Sequence, residues 1–476
     1  MRIRTATTAA TLLAVVVAPL TLTAPLAHAA DAAAPYDFNG DGYRDLAIGA
    51  PAATVGGKSK AGAVSVVYGG STGPGTSKYK LLTQNTSGVP GGAEAGDAFG
   101  TALTSADLNT DGYADLVVGA PGEDTAIDTN DGTVVIVWGS ASGLSGARTL
   151  TNDGSDDTDR YGQALTAGDF DGDGDQDVAV GGTGKFNLRL TDGPFAKTGD
   201  FAGGSGTALA YAPQPFDASY GVEYLSAGDI QNDGTDSLVI HGRAKGTDDA
   251  LTAVGNGDYS YWLEYIPGGH VSSVADVNGD GNADVVVGNH RETSADASGA
   301  LGGEVTVVYG QSVTDGVDDS TGKEVTYTQA TSGVPGTAKS GDAFGTGVSL
   351  GDVNNDGYAD LVVGAPGESS AAGAVTVLYG SASGLTTTGA TVLSQSTSGV
   401  PGSSESGDRF GARVLLADTT KDARADLTVT APGENSGDGA VWWLKSATAS
   451  GAKSFGPSAV GVSTSGAPGF GAVLGG

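Results

Sequence analysis

Aspartates and asparagines recur along this 476-residue chain at a spacing that can hold a hard cation. In the stretch Asp107-Leu-Asn109-Thr-Asp111-Gly112-Tyr113-Ala-Asp115, side-chain oxygens fall at positions one, three, five and nine, and a glycine stands at six. Calcium takes six to eight oxygen ligands at about 2.3–2.6 Å, and a tight loop can converge alternate side chains on one point. Asp107, Asn109, Asp111 and Asp115 would supply side-chain oxygens and Tyr113 a backbone carbonyl. Gly112 would permit the bend that brings the late ligands round to the early ones.

The pattern returns along the chain. Intact copies place candidate ligands at Asp37, Asn39, Asp41, Tyr43 and Asp45; at Asp169, Asp171, Asp173, Asp175 and Asp177; at Asp276, Asn278, Asp280, Asn282 and Asp284; and at Asp352, Asn354, Asp356, Tyr358 and Asp360. Two further copies are damaged. The one at Asp229 has Ser237 where the last carboxylate belongs, with Asp236 one place early. The one at Asp418 has Thr420 at position three and Ala423 in place of the glycine. Single runs of this composition also make ordinary turns. Five in register argue for about five Ca2+ sites.

Each loop must be positioned by the elements around it. An apolar run follows every copy, for example Leu116-Val117-Val118, which reads as a buried strand rather than the helix of an EF-hand. Gly49-Ala50-Pro51, Gly119-Ala120-Pro121 and Gly364-Ala365-Pro366 end such strands. A second strand is expected over Val64 to Tyr68, Val134 to Trp138, Val305 to Tyr309, Val375 to Tyr379 and Val441 to Leu444. An aromatic-glycine pair lies eight residues ahead of a loop at Phe99-Gly100, Tyr161-Gly162, Phe344-Gly345 and Phe410-Gly411, and is displaced by one at Tyr220-Gly221. These pairs read as belonging to a strand that enters the loop.

First aspartates fall at 37, 107, 169, 229, 276, 352 and 418. That period, with about four short strands per unit, fits the blade of a β-propeller. The first loop has no room ahead of it for an aromatic-glycine strand. Phe470-Gly471 opens such a strand at the other end, with no loop after it. Placing the C-terminal strand beside the first blade would pair edges otherwise left open.

Arg2, Arg4, an apolar stretch from Leu12 to Leu22, and Ala27-His28-Ala29 read as a secretory signal over residues 1–30. The expected organisation is that leader and one all-β domain over 31–476, exported, monomeric and without stable membrane insertion. No cysteine is present, so stability must come from the core and bound ions. A formal charge of -32 argues against nucleic acid as a partner. Part of it is explained locally, since every intact loop carries at least three carboxylates.

The alternation of aromatic-glycine pair, calcium loop and Gly-Ala-Pro resembles the FG-GAP repeat family, whose best-known members are the N-terminal propellers of integrin α subunits. The resemblance covers nearly all of residues 31–476 and is weakest from Gly182 to Gly269. It implies a seven-bladed β-propeller closed by the C-terminal strand, calcium in loops on one face, and adhesion or ligand binding. No leg domains or membrane span are expected after the propeller, which sets the chain apart from an integrin.

No catalytic constellation stands out, so the chain is expected not to be an enzyme. There is no cysteine nucleophile and no His-Glu-x-x-His zinc helix. His241, His270 and His290 are expected as surface residues between strands, with the latter two flanking the fifth loop. Trp138, Trp262, Trp442 and Trp443 are the aromatic candidates for ligand contact. Trp138 is expected to pack, and one of the adjacent pair Trp442 and Trp443 to be exposed. The leading expectation is a secreted module that binds an extracellular protein or glycan. The alternatives are a hydrolase or lyase acting on polysaccharide or lipid headgroup, and a structural envelope or matrix protein.

Overall fold

The computed structural model describes residues 32–125, 128–150, 158–184, 187–198, 216–256, 264–311 and 321–475. The expected leader and Trp262 lie outside them.

Seven antiparallel sheets form, one per repeat. The second blade is typical, with Ala102–Ala106, Asp115–Ala120, Thr133–Val137 and Ala147–Leu150 in spatial as well as chain order. Leu116 pairs with Val137, and Ala102 with Gly119. Every residue of Asp115–Ala120 is buried, as are all those of Leu46–Ala50 and Asp360–Ala365. A blade is covered on both faces by its neighbours, so these second strands are continuously apolar instead of alternating. The core is accordingly divided among blade junctions. One cluster, for instance, joins Phe38, Val64 and Val66 of blade one to Leu116, Val118 and Val135 of blade two.

The first blade is completed by the end of the chain. Val473–Gly475 pairs with Leu46–Ala50, matching Ile48 to Leu474 and Gly49 to Val473. This strand also lies between the innermost strands of blades seven and two, Val414–Ala417 and Ala102–Ala106, which closes the ring. Phe470 is fully buried, like Phe99, Phe344 and Phe410. Its N–H donates to Asp438 at 3.0 Å, as Phe99 does to Ala61 and Phe410 to Ala372. The residue after each acceptor is a glycine for want of space: a Cβ on Gly62 or Gly439 would stand 2.3 or 2.2 Å from the carbonyl oxygen of Phe99 or Phe470.

Of those aromatic-glycine pairs, Tyr161-Gly162 lies within the long strand Thr158–Gly168, as expected, whereas those at Phe99, Phe344, Phe410 and Phe470 do not lie in strands. They form the crossing before one, where the chain bridges to the preceding blade, as Phe99 does to Gly62 and Phe344 to Gly303. A further tie recurs at three junctions. The Nε2 of Gln84, Gln329 and Gln395 donates to the carboxylate of Glu123, Glu368 and Glu434 respectively, joining the outer end of one blade to the next.

Blades three to five depart from the pattern. Blade three shows three strands among the described residues, Thr158–Gly168, Asp177–Gly184 and Leu188–Thr191. Tyr220 is 37% exposed, and Phe216 is the aromatic buried between blades three and four. The expectation for the tryptophans is corrected too. Trp442 and Trp443 are both buried, because each face of the blade is covered, and their indole N–H groups donate to Pro401 and to the Thr419 hydroxyl. Trp138 packs as expected.

Candidate metal centres and the axial mouth

Six of the loops join the innermost strand of their blade to the second, and the first leads into Leu46–Ala50, the second strand of blade one, so all seven point to one face of the ring. Within a loop, the first aspartate accepts the backbone N–H of position six and one from position four or five: Asp107 from Asp111 and Gly112, Asp352 from Asp356 and Gly357, Asp169 from Gly172 and Gly174. Position five accepts from position seven, as Asp111 does from Tyr113. Position six sits at φ between 83° and 91° in all six loops that have glycine there. The last aspartate is locked from two sides. Asp115 accepts the N–H of Leu108 at 3.1 Å and of Gly139 at 2.7 Å, and Asp45, Asp177, Asp284 and Asp360 are held in the same way.

Adjacent loops are also stitched together. The N–H just before the last carboxylate reaches the first aspartate's carbonyl one blade back, at Ala114 to Asp37, Ala283 to Asp229, Ala359 to Asp276 and Ala425 to Asp352. The Tyr113 and Tyr358 rings lie over Gly40 and Gly279, where a Cβ would come within 2.8 and 2.7 Å of the ring.

The donor set fits a hard dication. Oxygens of Asp169, Asp171 and Asp177 lie within 4.8 Å of one another. Burial pushes the position-nine carboxyls up, to about 7 for Asp45 and Asp177, about 8 for Asp115 and about 6 for Asp284 and Asp360, and neighbouring loop carboxylates raise them further. Backbone N–H donors oppose that rise without cancelling it. A charge of +2 among these oxygens would reverse it. Each intact loop is thus a tight turn whose aspartates are held by backbone N–H groups, and among the described residues the loop carboxylates that converge within 4.8 Å are Asp169, Asp171 and Asp177.

The two damaged loops keep the turn and lose the charge arrangement. At Asp229, the carboxylate of Asp236 leaves the loop and accepts the Asp169 N–H of the preceding blade at 3.0 Å. At Asp418, Ala423 adopts φ 64°, and Lys445 forms a 2.8 Å ion pair with Asp422. The second loop carries a similar pair, Lys197 to Asp111 at 2.6 Å, so the Asp418 loop is set apart by Thr420 at position three and Ala423 at position six.

The opposite face carries a different set of groups. Of the three histidines His241 is buried and His270 and His290 are half-buried; they gather at the junction of blades four and five, at the end of the blade away from the fifth loop. His241 is fully buried, with Nδ1 2.9 Å from the Gly269 carbonyl and Nε2 2.7 Å from Ser272 Oγ, and burial pushes its pKa down to about 4. His270 lies against His290, with ring centroids 4.9 Å apart and planes tilted by 50°, and has Glu223 3.8 Å from Nδ1 and Asp296 3.9 Å from Nε2. Sequence spacing could not show this, because the residues meet only across neighbouring inner strands.

Glu223 also lines a cavity of about 420 Å³ at the mouth of the central channel, with Thr101, Arg160, Gln163, Thr183, Ser219 and Tyr220. Arg243 clasps Glu223 at 3.0 Å and lies over the Tyr220 ring, 4.2 Å from its centroid. Of these residues Tyr220 alone belongs to a motif, the displaced pair Tyr220-Gly221.

Two Gly-x-Ser-x-Gly strings, Gly69 to Gly73 and Gly347 to Gly351, form no nucleophile elbow. Ser349 lies within the strand Gly347–Gly351, its hydroxyl accepting the Leu416 N–H, and Ser71 lies on an exposed turn.

Comparison with known proteins agrees with this architecture. A model of the FG-GAP repeat matches residues 29–67, 99–137, 161–186, 268–308, 344–378 and 410–443. It passes over the fourth blade, which the structure nevertheless forms from Tyr224 to Ile266. The chain is 36% identical over 164 residues to a phosphatidylinositol-glycan-specific phospholipase D of Rattus norvegicus, which is 34% of this chain and 19% of that protein. It is 39% identical over 92 residues to integrin alpha-4 of Xenopus laevis, 19% of this chain and 9% of the integrin. With integrin alpha-PS5 of Drosophila melanogaster it shares 33% over 158 residues, 31% of this chain and 14% of that one. The chain therefore spans less than a fifth of each of these relatives.

Proposed function

Because this chain is an FG-GAP repeat protein whose seven blades close into one integrin-α-like ring, we propose that it is an exported, calcium-stabilised propeller that binds a protein or glycan ligand. Calcium would be held by the intact loops at Asp37, Asp107, Asp169, Asp276 and Asp352. Its part is structural: a dication offsets clustered buried carboxylates and fixes one face of the ring. The ligand is assigned to the other face.

The axial mouth carries this reading. It brings an aromatic ring at Tyr220, cations at Arg160 and Arg243, and amide and hydroxyl groups at Gln163, Thr101 and Ser219 to one concave surface. A polar pocket with one aromatic wall suits a sugar ring or a polar peptide segment. The apolar leader is the basis for export. Glycan and peptide arrays probed in millimolar calcium and in excess chelator test the proposal. Binding that is lost in the Tyr220→Ala variant and weakened by chelator is expected; a hit list unchanged by that variant would remove the mouth from the account.

A hydrolase is the second reading, favoured by the relatives named phosphatidylinositol-glycan-specific phospholipase D. His270 between Glu223 and Asp296 has the composition of an acid–base pair. Release of a glycolipid-anchored reporter by the purified chain, abolished in His270→Gln, would establish this reading; no release would dismiss it.

A further inference from the structure

The junction of blades two and three carries a second kind of carboxylate cluster, away from the loops. Oxygens of Asp128, Asp131 and Asp159 lie within 4.8 Å of one another. Asp128 and Asp131 belong to the segment after the second strand of blade two, at the end opposite its loop, and Asp159 to the long first strand of blade three.

Asp131 is 1% exposed, and its Oδ1 has no hydrogen-bond partner. Its other oxygen accepts from the Thr125 hydroxyl. A buried carboxylate oxygen without a donor is costly unless something positive meets it. Arg160, next in sequence to Asp159, does not meet it, since its Nε donates to Gln163 at 3.1 Å. Asp124 adds charge of the wrong sign nearby and is engaged by the Asn130 N–H.

Comparison with the other junctions shows what has changed. The residue two places before the crossing aromatic is Asp97, Asp342 or Asp408 at three of the other junctions and Pro468 at the last; each of those aspartates is buried and accepts a backbone N–H from three residues upstream. Asp159 occupies that place but is exposed, and no donor reaches its side chain among the described residues. The residue before the crossing glycine is Ala61, Gly302, Ala372 or Asp438 at the other regular junctions and Asp131 here. Only at this junction, among those five, do aspartates fill both places. Burial and the charges of Asp128 and Asp131 push the Asp159 carboxyl up.

We propose that Asp128, Asp131 and Asp159 form a further calcium site that fastens blade two to blade three on the face opposite the repeat loops. An all-carboxylate set favours a hard cation over zinc or copper. Asp131 supplies the buried ligand, Asp128 and Asp159 close over it from the two blades, and water completes the shell on the open side. The ion secures the junction at which blade three begins.

Native mass spectrometry of the full chain in calcium counts the bound ions directly. Asp131→Asn and Asp159→Asn should each carry one calcium fewer than the wild type, with the loop ions retained. Asp128→Asn, at an exposed position that cannot disturb the core, should show the same loss or at least tenfold weaker uptake of that one ion. Near-ultraviolet circular dichroism identifies any variant that fails to fold, and the two exposed positions decide the matter if Asp131→Asn does so. Folded Asp128→Asn and Asp159→Asn proteins with the wild-type count and affinity would overturn the proposal.

Discussion

Replacing Phe470 by alanine tests how the ring is closed. The side chain is fully buried seven residues from the end of the chain, where an unanchored terminus would fray and a substitution would be silent. Truncating a buried phenylalanine costs about 3–5 kcal/mol, from lost transfer energy and the cavity left behind. With an unfolding entropy of about 2.1 cal/mol/K per residue over about 440 residues, that loss lowers Tm by about 4 °C if the ring melts as one unit. It lowers Tm further if blade one opens separately, since repeat arrays can lose cooperativity. Phe99→Ala, Phe344→Ala and Phe410→Ala make the same cavity at internal junctions and provide the scale. Thermal melts in millimolar calcium should place all four variants within a few degrees of one another. Removing residues 470–476 should cost more, because it also strips the inner strand from Leu46–Ala50 and opens an apolar edge. A Phe470→Ala protein that melts like the wild type, while the three reference variants fall, would refute closure by this segment.

Three further outcomes follow from the same structure. Excess chelator should lower Tm by several degrees through loss of linked binding energy, and an unchanged midpoint would mean that the loops are only turns. Asp352→Ala should remove one bound calcium, whereas Asp418→Ala should remove none, because that loop has Thr420 at position three and Ala423 in place of the glycine; calcium counts on the two variants decide it. Stability should also fall on acidification through His241. Its folded pKa of about 4 lies below the unfolded value of 6.5, so its contribution is present above about pH 6.5 and is lost as pH falls toward 4. The loss at pH 5 amounts to about 2 kcal/mol. Denaturant melts at pH 7 and pH 5 should show the wild type losing that much more than His241→Gln, and equal losses would count against a buried neutral ring.

Much of the architecture was legible because its motifs answer to strict geometric demands. The bend at position six needs φ near 90°, so Gly42, Gly112, Gly174, Gly281 and Gly357 mark the loops in the sequence. The crossing leaves no room for a Cβ at Gly62 or Gly439, and the aromatic that passes there must fill a closed space, which is why Phe470 could be read as a closing residue. The axial mouth was not legible, since Glu223, Tyr220 and Arg243 converge from the blades where the signatures fail. The tryptophans were misread for a related reason. Alternation along a strand exposes every second residue only when one face meets solvent, and between blades both faces are covered. The partner of Trp443 is itself a substitution: Thr419 stands where Phe38, Leu108 and Val353 stand in other loops, and its hydroxyl receives the indole N–H. His270 and His290 are twenty positions apart in sequence yet their rings meet at 4.9 Å, because each flanks one of two paired strands at the same rim.

The number of calcium ions on the folded chain tests the central claim most directly. Protein stripped with chelator, exchanged into calcium and weighed under native conditions should carry six ions, one in each of the five intact loops and one at the junction of blades two and three. The Asp131→Asn variant should carry five. A wild-type chain that stays ion-free at millimolar calcium, or takes up only one or two ions, would contradict the account.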